Sequence, residues 1–418
     1  MRTGVSVEEA RAIVLEAAAV LEAERVPAAE ALGRALAEAV VSRRTLPPAD
    51  VSAMDGYALR AADLAGAARG APVRLAVAYE VAAGGATPRA LRPGEAARIF
   101  TGAPIPPGAD TVVPQEEVEA DTGGVRFRVP APAGDCVRSA GEDVRAGDVV
   151  LAPGDVVGPA QLGMLAALGR SQVAVHRRPR VAILSGGDEL VEPDEPAEGA
   201  RIVSSNSYTI AAQCREAGAE PSYLGIARDR PESLERLLRS GLHADLLVSS
   251  AGVSVGDHDY VRPVLEKLGC RLAFWGVHMK PGYPLAFGTF APERGPLVFG
   301  LPGNPVSAMV TFELFVRPAL LKMGGRRAWF RPAVDAVLDE ALRKKPGRTH
   351  FVRVSLERRA DGLHAASTGS QSSGVLRSMV DAQGLLVFAA DASELPAGAR
   401  VRVQVLDPEF FAAREPGW

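Results

Sequence analysis

The chain has 418 residues, of which 47% are apolar, 23% charged and 5% aromatic, a composition that excludes a disordered protein and leaves room for several domains. Lys and Arg number 47 against 50 Asp and Glu, a net charge of -3, which excludes a broad nucleic-acid footprint. No apolar run approaches the roughly 18 residues of a membrane helix, and Glu8, Glu9 and Arg11 stand where a signal peptide would be apolar, so a cytoplasmic protein is expected.

Ser6-Val-Glu-Glu9 has the form of a capping box. It opens a predicted helix over 6–25, with Ala10, Ile13, Val14, Ala17 and Leu21 on one face. Leu32, Leu36 and Val40, spaced by four, predict a second helical stretch after Pro27. Residues 1–45 and 146–178 thus read as one N-terminal helical and linker domain, the latter part carrying a helix over 159–168. The texture between them changes. Short alternating segments over 73–77, 97–100 and 125–129, separated by Gly84-Gly85, Pro104, Pro106-Pro107 and Gly123-Gly124, predict a β-rich insert over 46–145.

Over 179–325 apolar strands at 181–184, 245–249 and 297–299 alternate with helical stretches near 206–217, 231–240, 259–268 and 304–321. That alternation predicts a parallel sheet with helices on both faces. Residues 326–418 turn strand-rich again, at 351–356, 384–388 and 401–406, as expected of a small terminal barrel or sandwich. The fold class is therefore multidomain α/β, with a central α/β domain, a β-rich insert, an N-terminal helical and linker domain and a C-terminal small β-barrel. Cys136, Cys214 and Cys270 are widely spaced and read as three buried, reduced thiols. The six histidines form no His-x-x-x-His pair, which argues against zinc and leaves a hard, carboxylate-held metal as the expected kind.

Three glycine-bearing loops follow the three clearest strands of the α/β domain: Ser185-Gly-Gly-Asp-Glu189, the stretch from Ser249 to Asp259, and Gly300-Leu-Pro-Gly-Asn-Pro-Val-Ser307. One such loop is commonly only a tight turn. Three together, at the carboxyl edge of an open sheet, point to a phosphate or oxyanion site. Neither Gly-x-Gly-x-x-Gly nor the Walker A pattern is present, so a dinucleotide-binding dehydrogenase and a P-loop ATPase are both unsupported. Asp188, Glu189, Asp257 and Asp259 would crowd the same edge, with Asp229 reaching it from Arg228-Asp229-Arg230. Either they form a solvated acidic rim, or Mg²⁺ and a phosphorylated ligand relieve their repulsion. Lys280, in Met279-Lys-Pro-Gly-Tyr-Pro284, offers a cation nearby or is a plain surface lysine.

Six motifs in order, Ser52-Ala-Met-Asp-Gly-Tyr-Ala58, Arg98-Ile-Phe-Thr-Gly-Ala-Pro-Ile-Pro106, Gly141-Glu-Asp143, Gly187-Asp-Glu-Leu190, Gly252-Val-Ser254 and Leu301-Pro-Gly-Asn-Pro-Val-Ser307, resemble the molybdopterin molybdenumtransferase family, which includes bacterial MoeA and the E domain of gephyrin. The resemblance spans nearly the whole chain. It implies molybdenum insertion into adenylylated molybdopterin, with molybdate as the second substrate, Mg²⁺ as cofactor and AMP as a product. Members work as homodimers, between a molybdopterin adenylyltransferase and acceptor molybdoenzymes, with neither nucleic acid nor membrane as partner.

Carried over by motif, the resemblance assigns catalytic roles to Asp55, Thr101, Asp143, Glu189 and Asp259, the first three from an insert that reaches the α/β domain of the other subunit. It assigns molybdopterin-adenylate binding to Gly186, Asp229, Ser254, Asp257, Asp259, Pro302 and Asn304, and Mg²⁺ to Glu189, Asp257 and Asp259. Molybdate falls to Lys280, Ser307, Arg353 and Ser373. Two positions depart from the family pattern: Tyr283 replaces the second lysine of Lys-Pro-Gly-Lys-Pro, and Ala251 stands where Ser-Gly-Gly-Val-Ser has its first glycine. The sequence leaves open a gephyrin-like scaffold, a tungstate-preferring paralogue and the sister activity of molybdopterin adenylylation.

Overall fold

The structure, a computed structural model, describes residues 1–250, 261–290 and 295–412. The chain forms two compact units, one of residues 1–37, 153–162 and 172–418, the other of residues 38–152 and 163–171.

The first unit is built on a seven-stranded sheet in the order Arg2–Val5, Cys270–Val277, Ala286–Phe290, Leu297–Leu301, Leu246–Ser250, Arg180–Gly186, Glu220–Ala227. The expected parallel sheet holds for four of the six pairings, but the sheet is mixed, because Ala286–Phe290 runs against both of its neighbours. The cause is chain length. Val277 N–H donates to Tyr283 O and Gly276 N–H to Leu285 O, so the chain doubles back at once, and a parallel return would need a crossover of a dozen residues. Successive residues of the central strands face opposite ways. Ile183, Val248 and Phe299 enter one core with the helix Asn206–Glu216 and the helical run 305–323. Leu184, Leu247 and Val298 enter the other, under the helices Pro231–Gly241 and Val261–Lys267.

The run expected at 304–321 consists of Pro305–Thr311, a π-turn Phe312–Val316 and Arg317–Met323. The widened turn lies directly ahead of Pro318, which has no N–H to give the Leu314 carbonyl in a regular α-turn.

Two N-terminal expectations are corrected. Ser6 does cap a helix, its Oγ accepting the Glu9 N–H at 3.0 Å, but that helix is Val7–Ala17 and not 6–25. Ala23–Pro27 is instead a strand, paired antiparallel with Gln172–His176. The four-residue spacing of Leu32, Leu36 and Val40 does not mark a helix either: only the 3₁₀ turn Ala28–Ala31 precedes Gly33, whose φ of +75° ends it. Leu32 is exposed and Leu36 buried.

The C-terminal region is a closed five-stranded barrel rather than a sandwich. Ala333–Leu338 pairs with Gly362–Ser367 and Arg400–Val405, and Thr349–Arg359 closes the ring by pairing with both Gly362–Ser367 and Gly384–Phe388. Leu338, Val354, Ala365, Leu386 and Val403 fill it. In the second unit a six-stranded sheet runs Thr111–Pro114, Gly56–Leu59, Glu95–Ile99, Val73–Val81, Gly124–Phe127, Val118–Asp121. Tyr57 and Leu59 bury on one face of it, Ala58 on the other.

All three cysteines are free thiols, but Cys136 is only half-buried, against the expectation of three buried ones. Burial pushes the Cys214 and Cys270 thiols up to about 12, so neither is a thiolate at neutral pH.

Candidate active site

The carboxyl ends of Arg180–Gly186, Leu246–Ser250 and Leu297–Leu301 are in register: Ser185 lies opposite Ser250, and Ser250 opposite Leu301. Loops leaving these three strands therefore start from one edge, where open α/β sheets bind ligands. Beneath the edge lies a layer of buried hydroxyls. Ser204 Oγ donates to Ser185 Oγ at 3.0 Å, Ser185 Oγ is 3.3 Å from Ser250 Oγ, and Ser207 Oγ is 3.3 Å from Ser204 Oγ.

The first loop turns at Gly187, where φ is +140°. A Cβ there would lie 2.4 Å from Glu189 Oε2, so glycine is what lets the Glu189 carboxylate fold back over the turn. Asp188 N–H donates to Asp229 Oδ2 at 3.3 Å, and Asp229 N–H donates to Asp188 Oδ1 at 3.2 Å. Arg228 Nη1 donates to the carbonyls of Asp188 and Leu190. Gly186, Glu189 and Asp229 are thus brought to one edge, together with Asp188. In the third loop, Asn304 is the N-cap residue of Pro305–Thr311, and Asn206 Nδ2 holds the Gly303 carbonyl beside Pro302 at 2.8 Å. Ala251, Ser254, Asp257 and Asp259 lie outside the described residues. The ligands offered by this edge are hard carboxylate oxygens, the kind Mg²⁺ accepts, although no group of three His, Cys, Asp or Glu side chains among the described residues is placed to hold a metal ion.

A second concavity, of about 650 Å³, opens in the same unit between the short strand Met279–Lys280, the segment 342–348 and the barrel strand Thr349–Arg359. Its position follows from pairing, since Met279 is opposite Thr349 and Lys280 opposite His350. Lys280, Lys344, Lys345, Arg348 and Arg353 line it, and no carboxylate does among the described residues.

Arg353 is 1% exposed and has no carboxylate partner among the described residues. Its Nε donates to Ser378 Oγ at 3.1 Å, and its Nη2 to the carbonyls of Ser370 and Ser372 at 3.2 and 3.1 Å. Burial lowers its pKa to about 10. A buried cation without a counter-ion is costly, and an anion entering the pocket would offset that cost. The bonds to Arg353 fix the 370–372 turn. One residue on, the Ser373 carbonyl accepts the Val306 N–H at 3.1 Å, which sets Ser373 beside the buried Ser307. Of the four residues scattered in the sequence, Lys280 and Arg353 line the cavity, while Ser307 and Ser373 lie beside each other next to the 370–372 turn and are not among its lining residues. His350 shows the field of the cavity's cations: burial first, then the charges of Lys280, Lys344 and Arg348, hold its imidazole down to about 4.

Sequence reasoning passed over Asn206, the hydroxyl layer and the run Arg343-Lys-Lys-Pro-Gly-Arg348. The run itself was the available signal, four cations around a Pro-Gly turn.

In the second unit Asp55 Oδ1 accepts both the backbone N–H and the hydroxyl of Thr101, each at 2.8 Å. These bonds, the backbone one first, hold its carboxyl below the usual aspartate range. Asp143 lies in a turn, its backbone N–H donating to Leu46 O at 3.1 Å.

Family models match the chain in three stretches. Residues 5–169 match the MoeA N-terminal region (domain I and II), 182–322 a probable molybdopterin binding domain, and 335–406 the MoeA C-terminal region (domain IV). A molybdopterin molybdenumtransferase of Nostoc sp. is 40% identical over 375 residues, covering 89% of this chain and 86% of its own. Molybdopterin molybdenumtransferase 2 of Mycobacterium tuberculosis is 39% identical over 95% of this chain and 98% of its own. The crystal structure of a molybdopterin biosynthesis MoeA protein from Pyrococcus horikoshii superposes with a TM-score of 0.83 at 34% identity, covering 96% of this chain and 99% of that one.

Proposed function

The chain belongs to the MoeA family of molybdopterin molybdenumtransferases, and we propose that the sheet edge and the cationic pocket are the two working parts of its active site. The protein is a transferase of molybdenum cofactor biosynthesis. It inserts molybdenum from molybdate into adenylylated molybdopterin, giving molybdenum cofactor and AMP, the last common step of that synthesis. The dithiolene sulfurs of the substrate take the metal, which agrees with three protonated, mostly buried cysteines on the protein.

In this reading Gly186, Asp229, Pro302 and Asn304, with Ser254, Asp257 and Asp259, bind the adenylylated pterin. Lys280, Arg353, Ser307 and Ser373 hold molybdate by charge and by hydroxyl donation. Glu189, Asp257 and Asp259 would hold Mg²⁺, which when bound offsets phosphate charge. Asp55 and Thr101, already bonded to each other, and Asp143 act with Glu189 and Asp259 in the cleavage step. That step breaks the phosphoanhydride that joins the pterin phosphate to AMP, with water adding across it. The protein's share is to fix the adenylate and the oxyanion side by side, so that cleavage and metal transfer are not left to diffusion. The reading further takes the enzyme to be a cytoplasmic homodimer that receives its substrate from molybdopterin adenylyltransferase and delivers its product to molybdoenzymes. No helix among the described residues is long and apolar enough to cross a membrane. Nothing found favours a scaffold role or a preference for tungstate.

The observation that carries the site assignment is Arg353, buried without a carboxylate partner among the described residues in a pocket lined by cations. The test supplies adenylylated molybdopterin, Mg²⁺ and molybdate, and follows AMP release with reconstitution of a cofactor-free molybdoenzyme. Molybdate-dependent AMP release that Lys280→Ala and Asp259→Ala each abolish is expected. Full turnover by both variants would remove the site assignment.

A further inference from the structure

We propose that Arg348 binds the oxyanion directly and that the ring of Tyr283 is the platform that aims it, the pair standing in for a second pocket lysine beside Lys280. The inference rests on the oxyanion reading of this pocket. Tyr283 and Arg348 both line the cavity, and the Arg348 guanidinium carbon lies 4.4 Å from the centroid of the Tyr283 ring. Stacking of this kind engages the flat face of a guanidinium and leaves its N–H edge free to bond.

The backbone leaves Arg348 little choice of place. Gly347 turns the chain with φ +109° and donates its N–H to Ala390 O at 2.7 Å. Thr349 N–H donates to His278 O at 3.0 Å, one residue before the Met279–Thr349 pairing begins. Arg348 is pinned between these two bonds. Tyr283 is fixed in turn, by an edge-on contact with Trp275 at 5.7 Å and a tilted contact with His278 at 6.0 Å.

The other basic side chains of the segment are differently engaged. Arg343 pairs with Glu394 at 3.0 Å. Lys344 donates to Ala390 O and lies over the Phe388 ring at 4.9 Å. Lys345 has no ring or carbonyl that orients it among the described residues. Arg348 alone in this segment is held over a ring and, among the described residues, bonded through its side chain to neither a carboxylate nor a carbonyl. A lysine at position 283 would offer a point charge, whereas an aimed guanidinium offers two parallel donors to two oxygens of one tetrahedral anion. The replacement read in the sequence as a lost charge is then a charge delivered from another loop.

The test is equilibrium binding of molybdate alone to the full-length protein. Arg348→Ala is expected to weaken binding about tenfold, the effect of losing one charge-assisted pair. Tyr283→Ala is expected to weaken it comparably, Tyr283→Phe to rescue it by keeping the ring, and the double alanine variant to bind no more weakly than Arg348→Ala. An Arg348→Ala affinity within twofold of the parent, with binding still lost in Lys280→Ala, would overturn the role of Arg348 and leave the oxyanion reading standing. Loss in Tyr283→Phe equal to that in Tyr283→Ala would overturn the platform, making the phenol itself the donor. A parent protein that binds no molybdate would overturn both.

Discussion

Asp188 and Asp229 bond to each other reciprocally, each carboxylate accepting the other's backbone N–H at 3.2 to 3.3 Å. The clasp ties the loop after Arg180–Gly186 to the loop after Glu220–Ala227, and so fixes the outer wall of the sheet edge. Both residues are exposed, so neither single alanine variant should cost more than about 1 kcal/mol of stability. Because both donors are backbone N–H groups, each variant removes one bond and leaves the other, so the two losses should roughly add in denaturant unfolding of the double variant. No loss in either single variant or in the double would mean that the clasp does not hold in solution.

Molybdate should stabilise the protein. An anion that binds only the folded state at a hundred times its Kd adds about 2.7 kcal/mol, seen as a rise in Tm with molybdate concentration. Lys280→Ala should flatten that rise while leaving the Tm without molybdate nearly unchanged, since Lys280 is exposed. A parallel rise in parent and variant would place the anion elsewhere.

His350 provides a pH signature. Its pKa is lowered from the ordinary 6.5 to about 4, by burial and then by Lys280, Lys344 and Arg348. The folded state thus binds this proton less readily than the unfolded chain. The resulting stability is fully present above pH 6.5 and is lost as pH falls from there toward 4. An anion among those cations offsets their charge, so sulfate should raise the His350 pKa in an NMR titration. A value near 6.5 without sulfate would show that the cations do not converge as described.

Glu313 is buried at 5% exposure between Arg331, whose Nε is 2.8 Å away, and Arg317, whose Nε is 3.5 Å away. Glu216 also pairs with Arg331. Glu313→Ala should destabilise by about 3–5 kcal/mol, because it leaves two largely buried guanidinium groups short of a counter-charge. Molybdate affinity measured below the lowered Tm should not change. A loss under 1 kcal/mol would show that water reaches the cluster.

The central strands were legible in the sequence because both of their faces are buried, so Val181, Ile183 and Leu184 read as one apolar run. Glu220–Ala227 was missed because an edge strand with a proline and exposed side chains carries no such run. Arg2–Val5 is four residues long, and only its partner makes it a strand. The helical stretch expected after Pro27 failed for a related reason: the four-residue spacing of Leu32, Leu36 and Val40 records which residues are apolar but not that Gly33 turns the chain. At the site, motif matching found Lys280 and Arg353 one by one. It could not find Arg348, whose significance lies in a ring from another loop that no spacing along the chain reveals.

The pairing of Thr3 with Trp275 sets an order on biosynthesis. Arg2–Val5 is made long before it can find its place, since the strand it docks against follows only after the insert and most of the α/β domain. Until then the apolar face of Val7–Ala17, which buries Ala10 and Val14 in the shared core, has nowhere to go. A nascent chain in that state exposes a short amphipathic helix and an unpaired strand throughout most of its synthesis, the kind of surface that chaperones hold. Non-local closure of this sort also slows refolding.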